Sequence, residues 1–171
     1  DENELVRMME TATHHNGPTA IRYPRGTGQG VKIDKKPKPI KIGKAEVLCE
    51  GNDLLIIAIG NSVNEAIKAQ EQLKTNKISS TIINARFVKP LDKELICTYA
   101  GRMNKIITVE EHVLDSGFGS AVLETLIDNG ISNFKLKRIG IQDQFVEHGA
   151  QKILKKAYQI DSDAIIRAAA E

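Results

Sequence analysis

The sequence predicts a three-layer α/β domain built on a mostly parallel sheet of about five strands. Short apolar runs alternate with segments of helical periodicity about ten residues long, a pattern typical of parallel strands joined by right-handed crossovers. The clearest strand, residues 53–59 (DLLIIAI), is almost continuously apolar, as a strand covered on both faces should be. Hydrophobic residues make up 41% and charged residues 27% of the 171, which is ordinary for a globular domain.

The predicted elements follow one another with short turns between them. A short amino-terminal helix carries one apolar stripe, Asn16-Gly17-Pro18 ends it, and residues 19–23 then have the pattern of a short buried strand. The further predicted strands are residues 46–49, 53–59, 78–83, 105–110 and 134–139. Helices are predicted at residues 62–76 and 91–100, and two short ones near the end of the chain. The helix at 62–76 should face inward with Val63, Ala66, Ile67 and Leu73. A further helix is predicted from the apolar side formed by Val122, Leu123, Leu126 and Ile127. Ser62 and Glu65 have the spacing of a helix capping box.

Residues 27–44 predict a connector between two structural units. They are rich in Gly, Lys and Pro and show little periodicity, as is typical of a linker at a domain boundary. The lysines of this segment (Lys32, Lys35, Lys36, Lys38, Lys41 and Lys44) are interpreted as solvated. No aromatic residue lies among them to stack on bases, and the net charge is only +2, so a nucleic-acid partner is not expected.

Other classes of protein find no support in the sequence. Cys49 and Cys97 are far apart and form no CxxC pair, so we interpret both as reduced core thiols of an intracellular protein, with no metal role. No apolar run has the length of a membrane span, and no segment resembles a signal peptide. The chain starts with Asp1 inside a helical pattern, from which we expect a fragment of a longer protein.

Candidate site residues follow from the position of ligands in open parallel sheets, beyond the carboxyl ends of the strands. Arg86, Glu111 and His112 lie at predicted strand ends. Adjacent residues of a strand point to opposite faces, so Glu111 and His112 do not favour an acid/base pair. A cap, an ion pair or an interface remains the better interpretation.

Two arginines flank a rigid dipeptide in Arg22-Tyr23-Pro24-Arg25-Gly26. A guanidinium fork offers parallel donors and a permanent charge, which suits a phosphate. On these residues alone, a structural ion pair with a carboxylate is the slightly favoured alternative. The following Gly26-Thr27-Gly28-Gln29-Gly30 does not open into a helix, so a nucleotide-binding loop is not predicted.

Several segments, in order along the chain, together resemble the 1-deoxy-D-xylulose-5-phosphate synthase family. Two are specific: Gly17 to Gly26 (GPTAIRYPRG) and Asn84 to Asp92 (NARFVKPLD). Three shorter ones, TVEE at 108–111, GFGSAVL at 117–123 and FVEHG at 145–149, continue the match at similar intervals. The resemblance covers nearly the whole chain.

The resemblance implies a three-domain parent enzyme that binds thiamine diphosphate through Mg²⁺. Residues 1–26 are then the tail of its pyrimidine-binding domain, 27–44 a linker, and 45–171 a carboxy-terminal domain of the transketolase type. The family's metal-binding and cofactor-activating motifs would lie upstream. We therefore expect no catalytic residue, metal or cofactor in this piece, which alone would be inactive.

The implied reaction joins a two-carbon fragment from pyruvate, with loss of CO₂, to glyceraldehyde 3-phosphate, for isoprenoid and thiamine synthesis. The resemblance assigns the acceptor's phosphate to Arg25, with Arg22 as the second choice. It also implies a homodimer. We expect it in the cytoplasm, or in a plastid-type organelle of a eukaryote, and from charge and hydropathy we expect no nucleic-acid or membrane partner. Alternatives are the β chain of a 2-oxoacid dehydrogenase decarboxylating component, a transketolase, or a non-catalytic assembly module.

Overall fold

A central sheet organises the structure, a computed structural model that describes residues 1–171. Its strands are β1 (Glu46–Cys49), β2 (Leu54–Ala58), β3 (Ser80–Asn84), β4 (Lys105–Val113) and β5 (Lys135–Ile141). The helices are α1 (Glu2–Thr13), α2 (Ser62–Thr75), α3 (Lys93–Ala100), α4 (Phe118–Asp128), α5 (Gln151–Ala157) and α6 (Ser162–Ala170). The predicted alternation of strands and helices beyond residue 45 is confirmed.

The sheet is mostly parallel, as predicted, with one antiparallel strand at an edge. Its order is β1-β3-β2-β4-β5, and only the β1–β3 pair is antiparallel. The loop from β1 to β2 is far shorter than the dozen residues that a parallel crossover needs. It instead crosses the start of β3, where the Thr81 hydroxyl donates to the Gly51 carbonyl (2.8 Å) and accepts from the Gly51 N–H (2.9 Å).

Helices cover both faces of the sheet and give the predicted three layers. The side chains of β2 alternate between the two cores: Leu54 and Ile56 pack with residues of α2 and α6, and Leu55 and Ile57 with residues of α3 and α4. All four side chains are fully buried. Burying an aliphatic side chain of this size contributes about 1.5–3 kcal/mol. The two-sided cover explains why the β2 sequence is continuously apolar.

The predicted strand at residues 19–23 is wrong. These residues have no regular structure, and Tyr23 is 68% exposed. A strand exists only where a neighbouring strand accepts and donates its backbone hydrogen bonds. Residues 18–40 make no backbone–backbone hydrogen bond within the chain. The apolar pattern of residues 19–23 is therefore not enough to form a strand, because no neighbouring strand pairs with them.

Two local expectations on the helices also fail. Ser62 is the first residue of α2 rather than its cap, and the Glu65 carboxylate accepts from the Ser162 N–H at the start of α6 (3.2 Å). Ile67 and Ile127, expected to face inward, are 42% and 54% exposed. The contacts with neighbouring elements, rather than the spacing of residues within each helix, decide where Glu65, Ile67 and Ile127 point. No helix combines the length and the apolar character that crossing a membrane requires.

Residues 27–44 form neither helix nor strand, but they contact α1 along its length. The Gly30 N–H donates to the Glu2 carboxylate (2.6 Å), and the Arg7 guanidinium donates to the Lys38 carbonyl (3.1 Å). At the far end, the Thr11 hydroxyl accepts from the N–H of the buried Ile40 (2.7 Å). The segment and α1 thus form one unit. The proposed domain boundaries stay a prediction.

Candidate functional site

The carboxyl ends of β2 to β5 lie along one edge of the sheet. The segments that leave this edge begin at Ile59, Ala85, Leu114 and Gln142. Because β1 runs antiparallel, its first residue, Glu46, pairs with Asn84 and adds a carboxylate to this edge. Arg86, Glu111 and His112, the residues selected from the sequence, all lie at this end of the sheet.

Arg86 joins α1 to the end of β3. Its guanidinium is only 12% exposed and donates to the carboxylates of Glu4 and Glu46, the latter at 2.5 Å. The Asn84 amide donates to the same Glu4 carboxylate (2.8 Å). Arg86 has φ +58°, a backbone conformation that costs a non-glycine residue about 1–2 kcal/mol. Its role in this structure is therefore to fix α1 on the sheet edge.

Glu111 joins the end of β4 to α5. Its carboxylate accepts from the Lys155 ammonium (2.9 Å) and from the Asn61 amide (3.3 Å). Lys155 is 11% exposed and also lies 3.6 Å from the Glu65 carboxylate at the start of α2. A charged group with so little access to water needs partners of opposite charge, since an unpaired charge in such a place destabilises the folded state. These side chains thus fix α5 against the sheet.

His112 forms no acid/base pair with Glu111. Its side chain is exposed, and its Nδ1 lies 3.1 Å from the Val113 carbonyl oxygen. No hydrogen bond or ion pair connects the two residues. The interpretation of Glu111 and His112 as strand-end or interface residues stays a prediction.

Glu110 is a buried carboxylate that the sequence reasoning did not single out. It is 1% exposed and accepts from the Phe118 N–H (2.7 Å) and the Gly119 N–H (2.8 Å) at the start of α4. Burial raises the pKa of Glu110, although the N–H groups of Gly119 and Phe118 favour the charged form. A Glu in a buried strand, with Gly117-Phe118-Gly119 opening the next helix, is the sequence signal that could have found it.

Arg22 and Arg25 lie in the irregular segment between α1 and residue 27. Both side chains are exposed, and neither takes part in an ion pair. The Arg25 carbonyl accepts a hydrogen bond from the side-chain amide of Gln151 (2.5 Å), the first residue of α5. The two guanidinium groups are thus available for an anion, beside the helix that Lys155 joins to Glu111.

A cleft lies away from Arg22, Arg25, Arg86 and Glu111. It has a volume of about 390 Å³ and lies between β5, α5 and α6, with Lys137, Arg138, Tyr158 and Arg167 among its lining residues. Lys137 is paired with Glu171 (2.8 Å), and Arg138 donates to the Leu114 carbonyl and the Ser120 hydroxyl. No group of three or more His, Cys, Asp or Glu side chains could hold a metal ion. The cleft contains no arrangement that predicts chemistry.

The fold and the residue pattern define a transketolase-type domain. The family model described as "Transketolase, C-terminal domain" matches residues 43–165, and the chain belongs to this family. Its relatives include the 1-deoxy-D-xylulose-5-phosphate synthase of Desulforudis audaxviator, 48% identical over 169 residues and 99% of this chain. 1-Deoxy-D-xylulose-5-phosphate synthase 1 of Geobacter sulfurreducens is 51% identical over 168 residues and 98% of this chain. The resemblance inferred from the motifs is confirmed.

The chain spans about a quarter of the length of these relatives, 27% and 26% respectively. Among solved structures, a split-gene transketolase, described as an inactive β4 tetramer, superposes with a TM-score of 0.72 at 26% identity. The match covers 86% of this chain and 46% of that one. The transketolase of Campylobacter jejuni superposes with a TM-score of 0.51 at 15% identity over 73% of this chain and 18% of its own, which supports the fold alone.

The raised pKa of Glu110 predicts a pH-dependent contribution to stability. The unfolded value is about 4.3, so the contribution is fully present below it and is lost as pH rises through the higher folded pKa. As pH rises above about 4, the free energy of unfolding of Glu110→Gln should therefore gain on that of the wild type, because only the wild type has a buried carboxyl group to ionise. Urea unfolding across this range measures the difference. A constant difference would show that the buried charge has no cost.

The Arg86–Glu4 pair predicts an energetic coupling between α1 and the sheet. In a double-mutant cycle of Arg86→Ala and Glu4→Ala, hydrogen exchange of the α1 amides should give a coupling of about 1–3 kcal/mol. Glu10, on the same helix but not in contact with Arg86, is the matched control, and Glu10→Ala should couple to Arg86→Ala by less than about 0.5 kcal/mol. Equal couplings for Glu4 and Glu10 would contradict the docking role of Arg86.

Proposed function

We propose that the chain is the carboxy-terminal part of a thiamine-diphosphate-dependent synthase. The longer protein condenses pyruvate with glyceraldehyde 3-phosphate to 1-deoxy-D-xylulose 5-phosphate, with loss of CO₂. The observation that carries the proposal is 48–51% identity, over nearly all of this chain, to proteins with that name. Because the chain spans about a quarter of their length, the reaction belongs to the longer protein. We place that protein in the cytoplasm, or in a plastid-type organelle of a eukaryote.

Within that protein, this part serves domain packing, dimer assembly and binding of the acceptor's phosphate. Arg25 is the proposed phosphate ligand, with Arg22 as the second choice. The competing interpretation, a structural ion pair, needs a carboxylate partner, and neither arginine contacts one in this chain. An exposed guanidinium fork with unused donors suits the three oxygens of a phosphate.

The cofactors belong to the longer protein in this proposal. Thiamine diphosphate supplies the electron sink for the decarboxylation of pyruvate, and Mg²⁺ binds its diphosphate. The residues of this chain offer no cluster of ligands that fits the metal ion. The proposal assigns no catalytic step to them and takes the isolated chain to be inactive.

A second candidate function is self-assembly without catalysis. It is favoured by the split-gene transketolase, whose solved structure is described as an inactive β4 tetramer and resembles 86% of this chain. Several large apolar side chains are also exposed here, including Phe145, which is fully exposed, and Ile153, which is 69% exposed. Exposed apolar groups of this size are typical of surfaces that another chain or domain covers.

For the synthase, Arg25→Ala in the full-length protein should raise KM for glyceraldehyde 3-phosphate by about ten- to a hundredfold, since a hydrogen bond to a charged group is worth about 1.5–3 kcal/mol. KM for pyruvate should stay unchanged. The unphosphorylated acceptor D-glyceraldehyde should be used equally by both proteins. Steady-state kinetics with the two acceptors measures this. An unchanged KM for the phosphorylated acceptor would remove Arg25 from the site.

For self-assembly, size-exclusion chromatography with light scattering of the 171-residue chain should give a dimer or larger species. Phe145→Ser should shift the chain toward monomer because it removes an exposed ring. Ile127→Ser, on an exposed part of α4, is the control for a general loss of apolar surface. A monomer at concentrations of about 100 μM, far above typical dimer dissociation constants, would exclude this function.

A further inference from the structure

Gln151 is joined to Arg25 by a hydrogen bond that bridges 126 residues of sequence. Its side-chain Nε2 donates to the Arg25 carbonyl oxygen over 2.5 Å. From Pro18 to Gly28, no other hydrogen bond is formed by any backbone or side-chain group. This contact is therefore the one hydrogen bond that links residues 18–28 to the rest of the chain.

Gly26 makes the approach of Gln151 possible. A Cβ at position 26 would lie 2.9 Å from Nε2 of Gln151 and 3.3 Å from its Cδ, closer than van der Waals contact permits. Two residues on, a Cβ at Gly28 would lie 2.2 Å from the Glu2 carboxylate, which also accepts from the Gly30 N–H (2.6 Å). The absence of a side chain at Gly26 and Gly28 thus lets the backbone approach Gln151 of α5 and Glu2 of α1 closely.

The position of Gln151 is in turn set by the sheet. One turn further along α5, the Lys155 ammonium binds the Glu111 carboxylate at the end of β4 (2.9 Å) and lies 3.6 Å from Glu65 of α2. A continuous series of contacts therefore leads from the end of β4, through α5, to the Arg25 backbone. The Arg25 side chain is exposed, but its backbone carbonyl is held by the hydrogen bond from Gln151.

We infer that Gln151 is a positioning residue for the phosphate-binding Arg25, so that the transketolase-type domain sets the acceptor specificity of the longer protein. The inference rests on the proposed function of Arg25. Gln151 does not touch the acceptor; it fixes the carbonyl of the residue that does. The anchored backbone limits the positions that the guanidinium can occupy, so less freedom is lost when the phosphate binds.

Gln151→Met in the full-length protein is the direct test, since Met has a similar length but no donor. KM for glyceraldehyde 3-phosphate should rise about threefold to tenfold, the size of one net hydrogen bond. KM for pyruvate, KM for D-glyceraldehyde and the melting temperature should not change. Gln144→Met, the same change at an exposed residue whose side chain makes no hydrogen bond, should leave all four values unchanged.

Gly26→Ala gives an independent variant, because the added methyl must displace the Gln151 amide from the Arg25 carbonyl. It should raise the same KM by a similar factor, and the double variant with Gln151→Met should be no worse than either single one. Multiplicative effects of the two substitutions would overturn the inference.

The two proposals fail differently. If Arg25→Ala leaves KM for glyceraldehyde 3-phosphate unchanged, the phosphate role of Arg25 and the role of Gln151 are both overturned. If Arg25→Ala raises this KM while Gln151→Met does not, only the positioning role of Gln151 is overturned. A rise in KM for phosphorylated and unphosphorylated acceptors alike would also overturn it, because it would reflect general damage.

Discussion

The burial of β2 on both faces is the constraint on which the rest of the structure depends. Leu54 to Ala58 have no exposed surface, so helices must cover the sheet on each side. Parallel strands satisfy this requirement because each crossover carries a helix across one face. The same arrangement brings the carboxyl ends of four strands to one edge, where polar side chains meet.

Carboxylates at this edge receive partners in different ways. Glu4 and Glu46 pair with Arg86, and Glu111 pairs with Lys155. Glu110 instead accepts two backbone N–H groups of α4, and its raised pKa reflects a burial that these bonds only partly offset. Each solution joins a different helix to the sheet: α1 through Arg86, α5 through Lys155 and α4 through Glu110. Polar contacts at the strand ends thus add to the apolar packing of α4 and connect α1 and α5 to the sheet.

The functional proposals depend on this arrangement. The segment with Arg22 and Arg25 has no regular structure, but the elements on either side of it, α1 and α5, are both joined to the sheet edge. Under the proposed function, the domain would influence the reaction of the longer protein by placing one charged side chain. The proposal thus gives a physical reason for a domain outside the cofactor site to affect substrate preference.

The sequence by itself determined the five strands and the helices beyond residue 45, because apolar periodicity follows the burial of most side chains in these elements. Its ordered motifs also determined the family. Only the tertiary structure decided that residues 19–23 form no strand, that Glu65 meets Ser162, and that Glu110 binds the start of α4. The contact of Gln151 with Arg25 belongs to the same group. These outcomes depend on partners distant in sequence, and no local pattern specifies which groups the folded chain brings within hydrogen-bonding distance.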